Sequence, residues 1–445
     1  MNRRSFLKFL SAASAATAYS MMPDVSNPNG SAVFAASTAT TLPKTLIVIF
    51  QRGANDGINT AIPIGDPNYN TTLRPTLYLS PSQVVRLKDL TDTSGTKQDA
   101  FFGLHPSLVN IGRYYDQGDA ALLPAVHWSQ PSRSHFDAQK IMELGATNLN
   151  SYNPASSSGW VNRYLANKSG AGPLRCIGLE GGLVESLRGS VPISVYPDLT
   201  RINGPLSSTE ATALSDQQTM IYGQAAATAV EQETYTMGKT FVKDLATLRG
   251  IDFKNYAPAN GAAYPSNSFG TQLKQLAALI KNETMLELAT LSLGGWDSHA
   301  EQAGMQAGSL TTLDQGIHAL WTDLGSTYMQ NVLVLVMTEF GRTAAETLSK
   351  GTDHGKAACW MVLGPAAKGR FYGRAPSGWT GNPNTAPYYG YPGLSSSQLD
   401  EGRFLKFNID YRDVLAELMT KHLGISSSLM GTLLPGHTYK SVGFL

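Results

Sequence analysis

The chain has 445 residues, 42% of them hydrophobic, with 34 Lys and Arg against 33 Asp and Glu. That apolar fraction supplies a sizeable core and excludes a disordered chain, and near-balanced charge without a basic stripe excludes a nucleic-acid binder. Length alone permits two or three average domains or one large α/β domain.

Asn2-Arg3-Arg4-Ser5-Phe6-Leu7-Lys8, followed by an Ala/Ser-rich stretch to Ala35, has the form of a twin-arginine export signal. Its apolar part, Phe6 to Met22, falls short of the roughly 20 strongly apolar residues that a membrane span needs. Val33-Phe34-Ala35 offers small residues for cleavage before Ala36. The expected organisation is a signal peptide over 1–35, a linker over 36–43 and one α/β domain over 44–445. The twin-arginine translocase is then the expected export partner, and the mature protein is expected in the periplasm or outside the cell, with no stable membrane span. That pathway carries folded proteins, often ones loaded with a metal or cofactor first.

Thr45 to Phe50 is a continuous apolar, β-branched run, suited to a central strand covered on both faces. It stops at the polar turn Gln51 to Gly57. His105 to Gln117 has helical spacing and leads into a second buried strand, Ala120 to Val126; a helix opens at Ser132–Asp137 and runs to about Ala146. Shorter strands are expected at Leu174–Leu179 and Val191–Val195, and two or three helices between Ser208 and Arg249. The second half alternates: helix near Thr271–Met285, strand Leu288–Leu293, helix near Leu310–Leu324, strand Val332–Met337, strand Cys359–Leu363, and a last helix near Tyr411–Leu423. Alternation of this kind predicts a mostly parallel central sheet with helices on both faces. Pro376 to Ser397, rich in Gly, Pro, Asn and Tyr, reads as a long loop. Cys176 and Cys359 lie in apolar strand-like runs, so buried free thiols are the default reading, with a disulfide permitted.

Sites in open α/β sheets form beyond the carboxyl ends of parallel strands. After Thr45–Phe50 comes Asp56; after Leu288–Leu293 come Asp297 and His299; after Val332–Met337 come Glu339 and Arg342, then Asp353 and His354. Oxygen and nitrogen donors converging from several strand ends suit Zn²⁺, Mn²⁺ or a similar divalent ion. Alternatively, Asp297 and Asp353 cap Gly-rich turns and the imidazoles bond to backbone. Ser134 has two readings as well. Ser134-His135-Phe136-Asp137 matches a helix capping box, and a hydroxyl at that helix start is also placed to act as a nucleophile. Arg133 beside it is either a grip for an anionic group or an ordinary surface charge.

Five blocks in order (Arg52–Asn59, Ser132–Gln139, Gly295–His299, Thr338–Thr343 and Gly351–Gly355) resemble the exported bacterial family of domain of unknown function 1501. That family in turn is similar to the alkaline phosphatase and sulfatase superfamily. The resemblance implies an alkaline phosphatase-like fold, with Asp56, Asp297, His299, Glu339, Asp353 and His354 near metal-ligand positions and Ser134 near the nucleophile. The acidic and imidazole residues after the strands are expected to serve a metal-dependent hydrolase acting on phosphate or sulfate esters, with the helix start at Ser134 and Arg133 or Arg342 stabilising negative charge. The spacing of Asp297 and His299 is tighter than that superfamily usually shows, which keeps open a non-catalytic metal- or ligand-binding envelope protein on the same scaffold.

Overall fold

The computed structural model describes residues 42–445 except 91, 93, 131, 155, 171, 173, 203–206, 227 and 374–389. The expected signal peptide and most of the expected linker, together with Pro376–Tyr389 of the expected long loop, lie outside the described residues. Two compact units are present, one of Pro43–Ile202 with Lys243–Leu445 and a smaller one that contains Asn203–Val242.

The larger unit is built on one sheet. In chain order its strands are β1 (Thr45–Gln51), β5 (Ala120–His127), β6 (Cys176–Leu179), β7 (Ser194–Val195), β8 (Leu288–Leu293), β9 (Val332–Met337), β10 (Ala358–Leu363), β11 (Arg370–Phe371) and β12 (Ile409–Asp410). The spatial order is β11-β5-β10-β9-β1-β8-β6-β7, with β12 also on β5. Central β1 pairs in parallel with β8 and β9, in register Leu46–Leu288 and Leu46–Leu333. Among the described residues of this sheet only β10 runs against its neighbours, antiparallel to both β9 and β5. Because two reversals restore direction, β5 points the same way as β1, β8 and β9, and their carboxyl ends share one edge. Three short strands, β2 (Ala61–Ile62), β3 (Val85–Lys88) and β4 (Gln98–Leu104), form a separate antiparallel sheet in the order β2-β4-β3.

Alternation along the strands divides the core into two layers. Ile47 and Ile49 of β1, with Val334 and Val336 of β9, face one apolar cluster, while Leu46, Val48 and Phe50, with Leu333 and Leu335, face the other. The first layer is closed by helices α1 (Val109–Gln117), α6 (Ser268–Lys281) and α7 (Gln302–Met329). The second is closed by α2 (His135–Leu144), α3 (Trp160–Asn167) and α8 (Tyr411–Glu417). Each fully buried Leu or Val contributes about 1.5–3 kcal/mol relative to exposure, so the run that reads as a two-sided strand is also what binds the layers together.

The helix expected to stop near Leu324 does break there. Gly325 adopts φ 58° inside α7, and one further turn follows to Met329. The last helix expected to Leu423 keeps α geometry only to Glu417 and continues as a π-helical turn over Leu418–His422. Helices α4 (Ser208–Tyr222) and α5 (Ala229–Arg249) account for the segment between Ser208 and Arg249. A reciprocal capping box of Ser207 and Glu210 starts α4. Both cysteines are buried and free, and burial pushes the Cys359 thiol up to about 12. Among the described residues no helix is long and apolar enough to cross a membrane.

Candidate metal centre

Four parallel strand ends frame the site. Beyond β8 the chain passes through Gly294 and Gly295 to Asp297 and His299, and beyond β9 it reaches Thr338 and Glu339 at once. From β5 it crosses to Ser134, whose extended backbone and side chain cap α2, so that His135 is the first helical residue. The segment after β9 then doubles back: Gly341 N donates to Lys356 O at 2.9 Å, Gly355 N to Gly341 O at 2.7 Å, and Arg342 bridges His354. Gly53, just beyond β1, has φ +118°, and a Cβ there would stand 2.7 Å from the Asp297 amide nitrogen. Glycine is what allows the β1 turn to close on the Asp297 loop.

His135, Asp297 and His354 each offer a ligand atom within 4.8 Å of the other two. His135 Nε2 lies 3.5 Å and His354 Nε2 3.2 Å from Asp297 Oδ1. His299 adjoins two of the three, its Nε2 being 2.9 Å from Asp297 Oδ1 and 3.0 Å from His354 Nε2. On the far side of each ring an oxygen acceptor waits. His135 Nδ1 is 2.8 Å from Glu339 Oε1, His354 Nδ1 is 2.8 Å from the Arg133 carbonyl, and His299 Nδ1 is 3.4 Å from Asp353 Oδ1. A proton on Nδ1 of His135 and of His354, donated to these acceptors, would leave Nε2 of each ring free to ligate an ion.

The charges are tuned to match. Burial pushes the Asp297 carboxyl up, but the Arg342 hydrogen bond and charge, with His354, outweigh it and hold the group at about 2. The hydrogen bond to Glu339 raises His135 against the effect of burial, whereas burial lowers His354. Burial works against ionised Glu339, and its bonds from His135, Gln139 and Gly53 N overcome it, so its carboxyl is lowered. A small divalent ion fits this set on the chemistry of its donors, mixed imidazole nitrogen and carboxylate oxygen. One atom supports the fit: His135 Nε2 is buried without a hydrogen-bond partner.

Three expected roles are corrected. Asp56 does not join the cluster; buried at 2% exposure, it pairs with Arg74 at 2.5 Å, accepts from Gln302 at 2.6 Å and caps the Gly57–Asn59 turn. With both carboxylate oxygens so occupied, it is a fold-holding ion pair. Glu339 is not a direct donor to the centre but stands behind His135, fully buried. Arg342 is also buried, and all its nitrogens are committed, to the carbonyls of Ala54, Thr352, Gly53 and Trp296 and to Asp297 Oδ1 at 2.7 Å. Its side chain has no exposed surface to offer an incoming anion.

The other expected residues fall at the rim. Asp353 is exposed beside His299, and Ser134 is exposed with its Oγ accepting from Asp137 N at 3.4 Å. Arg133 is exposed over the Phe404 ring. Trp296, next to Asp297, packs inward instead, its indole N–H on the Leu293 carbonyl. His135 is the candidate ligand that sequence reasoning passed over. The capping position of Ser134 was the available signal, since it fixes His135 at the helix start on the strand-end edge.

Residues 201–429 match the family described as "Protein of unknown function (DUF1501)", and the chain belongs to that family. No curated protein matches it. Among solved structures it is similar to Ps i-CgsB in complex with k-i-k-neocarrahexaose, at 9% identity over 75% of this chain and 69% of that one, with a TM-score of 0.33. It is also similar to the phosphonate monoester hydrolase of Agrobacterium radiobacter, at 9% identity over 74% and 70% of the two chains, with a TM-score of 0.25. The α/β assignment rests on the strand order and directions given above.

Proposed function

We propose that the protein is an exported, metal-dependent hydrolase of phosphate or sulfate esters, with a zinc- or manganese-like ion held by His135, Asp297 and His354. The observation that carries this reading is the convergence of their ligand atoms within 4.8 Å at the carboxyl edge of the sheet. A bound ion would polarise an ester oxygen and lower the pKa of an attacking hydroxyl.

The chain's own groups supply the rest. Glu339 and the Arg133 carbonyl orient the His135 and His354 rings through Nδ1. Ser134 presents an exposed hydroxyl at the positive end of α2, between Arg133 and His135, and is the proposed nucleophile. Its capping bond, at 3.4 Å, is long and leaves the oxygen little committed. Export through the twin-arginine translocase to the periplasm or beyond rests on Arg3, Arg4 and the residues that follow.

The test is a screen of the zinc- and manganese-loaded protein on p-nitrophenyl phosphate, bis-p-nitrophenyl phosphate and p-nitrophenyl sulfate. Turnover that needs the metal and disappears in Ser134→Ala, at unchanged metal content, is the expected result. Turnover that persists in Ser134→Ala removes the serine from the chemistry. A metal-loaded protein with no turnover of any ester leaves a binding protein instead.

A further inference from the structure

We infer that Arg133 and Arg403, gathered on the Phe404 ring, form a subsite for a second anionic group, so that the substrate carries at least two separated oxyanions. This inference rests on the metal-hydrolase reading and narrows its substrate class.

Phe404 is fully buried, yet three cations surround its ring: Arg133 Cζ at 4.8 Å, Lys356 Nζ at 5.2 Å and Arg403 Cζ at 5.4 Å from the centroid. An aromatic face attracts each of them, but it does not cancel their mutual repulsion. Lys356 is neutralised locally, by Asp400 and by Glu401 at 2.9 Å. Arg403 has only a loose contact, 3.6 Å to Asp353, and its side chain is 59% exposed. Among the described residues the Arg133 guanidinium has no carboxylate or carbonyl partner. Its planar fork of donors therefore stands at the rim without a counter-anion.

The backbone at both arginines is tied to the loops of the metal cluster. The Arg133 carbonyl accepts from His354 Nδ1 at 2.8 Å. The Arg403 carbonyl accepts from Ala344 N at 2.9 Å, and Phe404 bridges Thr343, in the segment that carries Arg342 and His354. Asp353 joins the two places, with Oδ2 toward Arg403 and Oδ1 toward His299 Nδ1. An ester bound at the cluster thus has a cationic platform beside it that the cluster itself does not use. Bidentate capture of a phosphate or sulfate oxygen pair is what that geometry offers.

The experiment is calorimetric titration of the zinc-loaded protein with fructose 6-phosphate and with fructose 1,6-bisphosphate. Glucosamine N-sulfate and its 6-sulfate, run as a second pair, separate a sulfate preference from a phosphate one. In at least one pair the ligand with two anionic groups is expected to bind about tenfold or more tighter. Arg133→Gln and Arg403→Gln are each expected to bring that ratio toward one with the zinc content unchanged, while Arg201→Gln, a surface control for net charge, keeps it. Equal affinities within both pairs, at full zinc occupancy, overturn the subsite and leave the metal reading standing. So does a ratio that survives both substitutions. A protein that holds no zinc and binds none of the four ligands overturns the metal reading and this one together.

Discussion

Nδ1 of His135 lies 2.8 Å from Oε1 of Glu339, a carboxylate with no exposed surface. The same oxygen accepts from Gln139 Nε2 and from the Gly53 amide, each at 2.9 Å. A carboxylate placed behind a ligating imidazole fixes its tautomer and raises its basicity, and losing it costs about 10–100-fold in metal affinity. Glu339→Gln is therefore expected to weaken metal binding by about that factor, measured by competition with a chelator. Unchanged affinity would mean that His135 is not a ligand.

Arg342 ties four backbone carbonyls from three loops to Asp297. Arg342→Met leaves these acceptors buried and unpaired and takes the charge away from Asp297. Losing one partner of a buried charged network costs about 3–5 kcal/mol, so a clear fall in the denaturation midpoint is expected. Lysine cannot reproduce the planar fork, and Arg342→Lys should restore little of the loss.

Asp56 and Arg74 give the opposite separation. Asp56→Asn breaks a fully buried ion pair and should destabilise the fold by about 3–5 kcal/mol, while the metal content stays as in the wild type. Loss of the metal at intact folding would return Asp56 to the ligand set.

Glu180, just beyond β6, is a pH-sensitive element of the fold. Burial, reinforced by the nearby Glu143 charge, raises its carboxyl from 4.5 to about 7 against the pull of Arg52 and Ser292. Between those values the folded chain holds a proton that the unfolded chain has released. Stability contributed by this group is thus present at acid pH and lost as pH rises through about 7. Glu180→Gln should remove that loss, gaining up to about 3 kcal/mol on the wild type by pH 8. Unfolding curves at pH 5 and pH 8 check it; an equal difference between the two proteins at both values contradicts it.

Much of this was legible in the sequence because the informative strands are buried on both faces. β8 and β9 match the apolar runs Leu288–Leu293 and Val332–Met337 residue for residue, and the polar residues after them sit at the shared edge. The reversal of β10 was not legible. A parallel strand needs a crossover of a dozen or more residues, usually helical, and the link from β9 folds instead into the loop that carries Arg342 and His354. The β2–β4 sheet escaped notice because strands such as Val85–Lys88 are short and mix apolar with charged residues. Asp56 was misjudged because the Arg74 that neutralises it lies 18 residues away in irregular chain, beyond any periodic pattern. Arg342 was misjudged because carbonyl acceptors leave no mark on a sequence.

Elemental analysis of the purified, chelator-free protein tests the central claim most directly. The account predicts a bound divalent ion in the wild type that is lost in His135→Ala, in Asp297→Ala and in His354→Ala, with the fold intact by circular dichroism. A wild type that takes up no such ion after incubation with zinc or manganese, or three variants that keep it, would contradict the account.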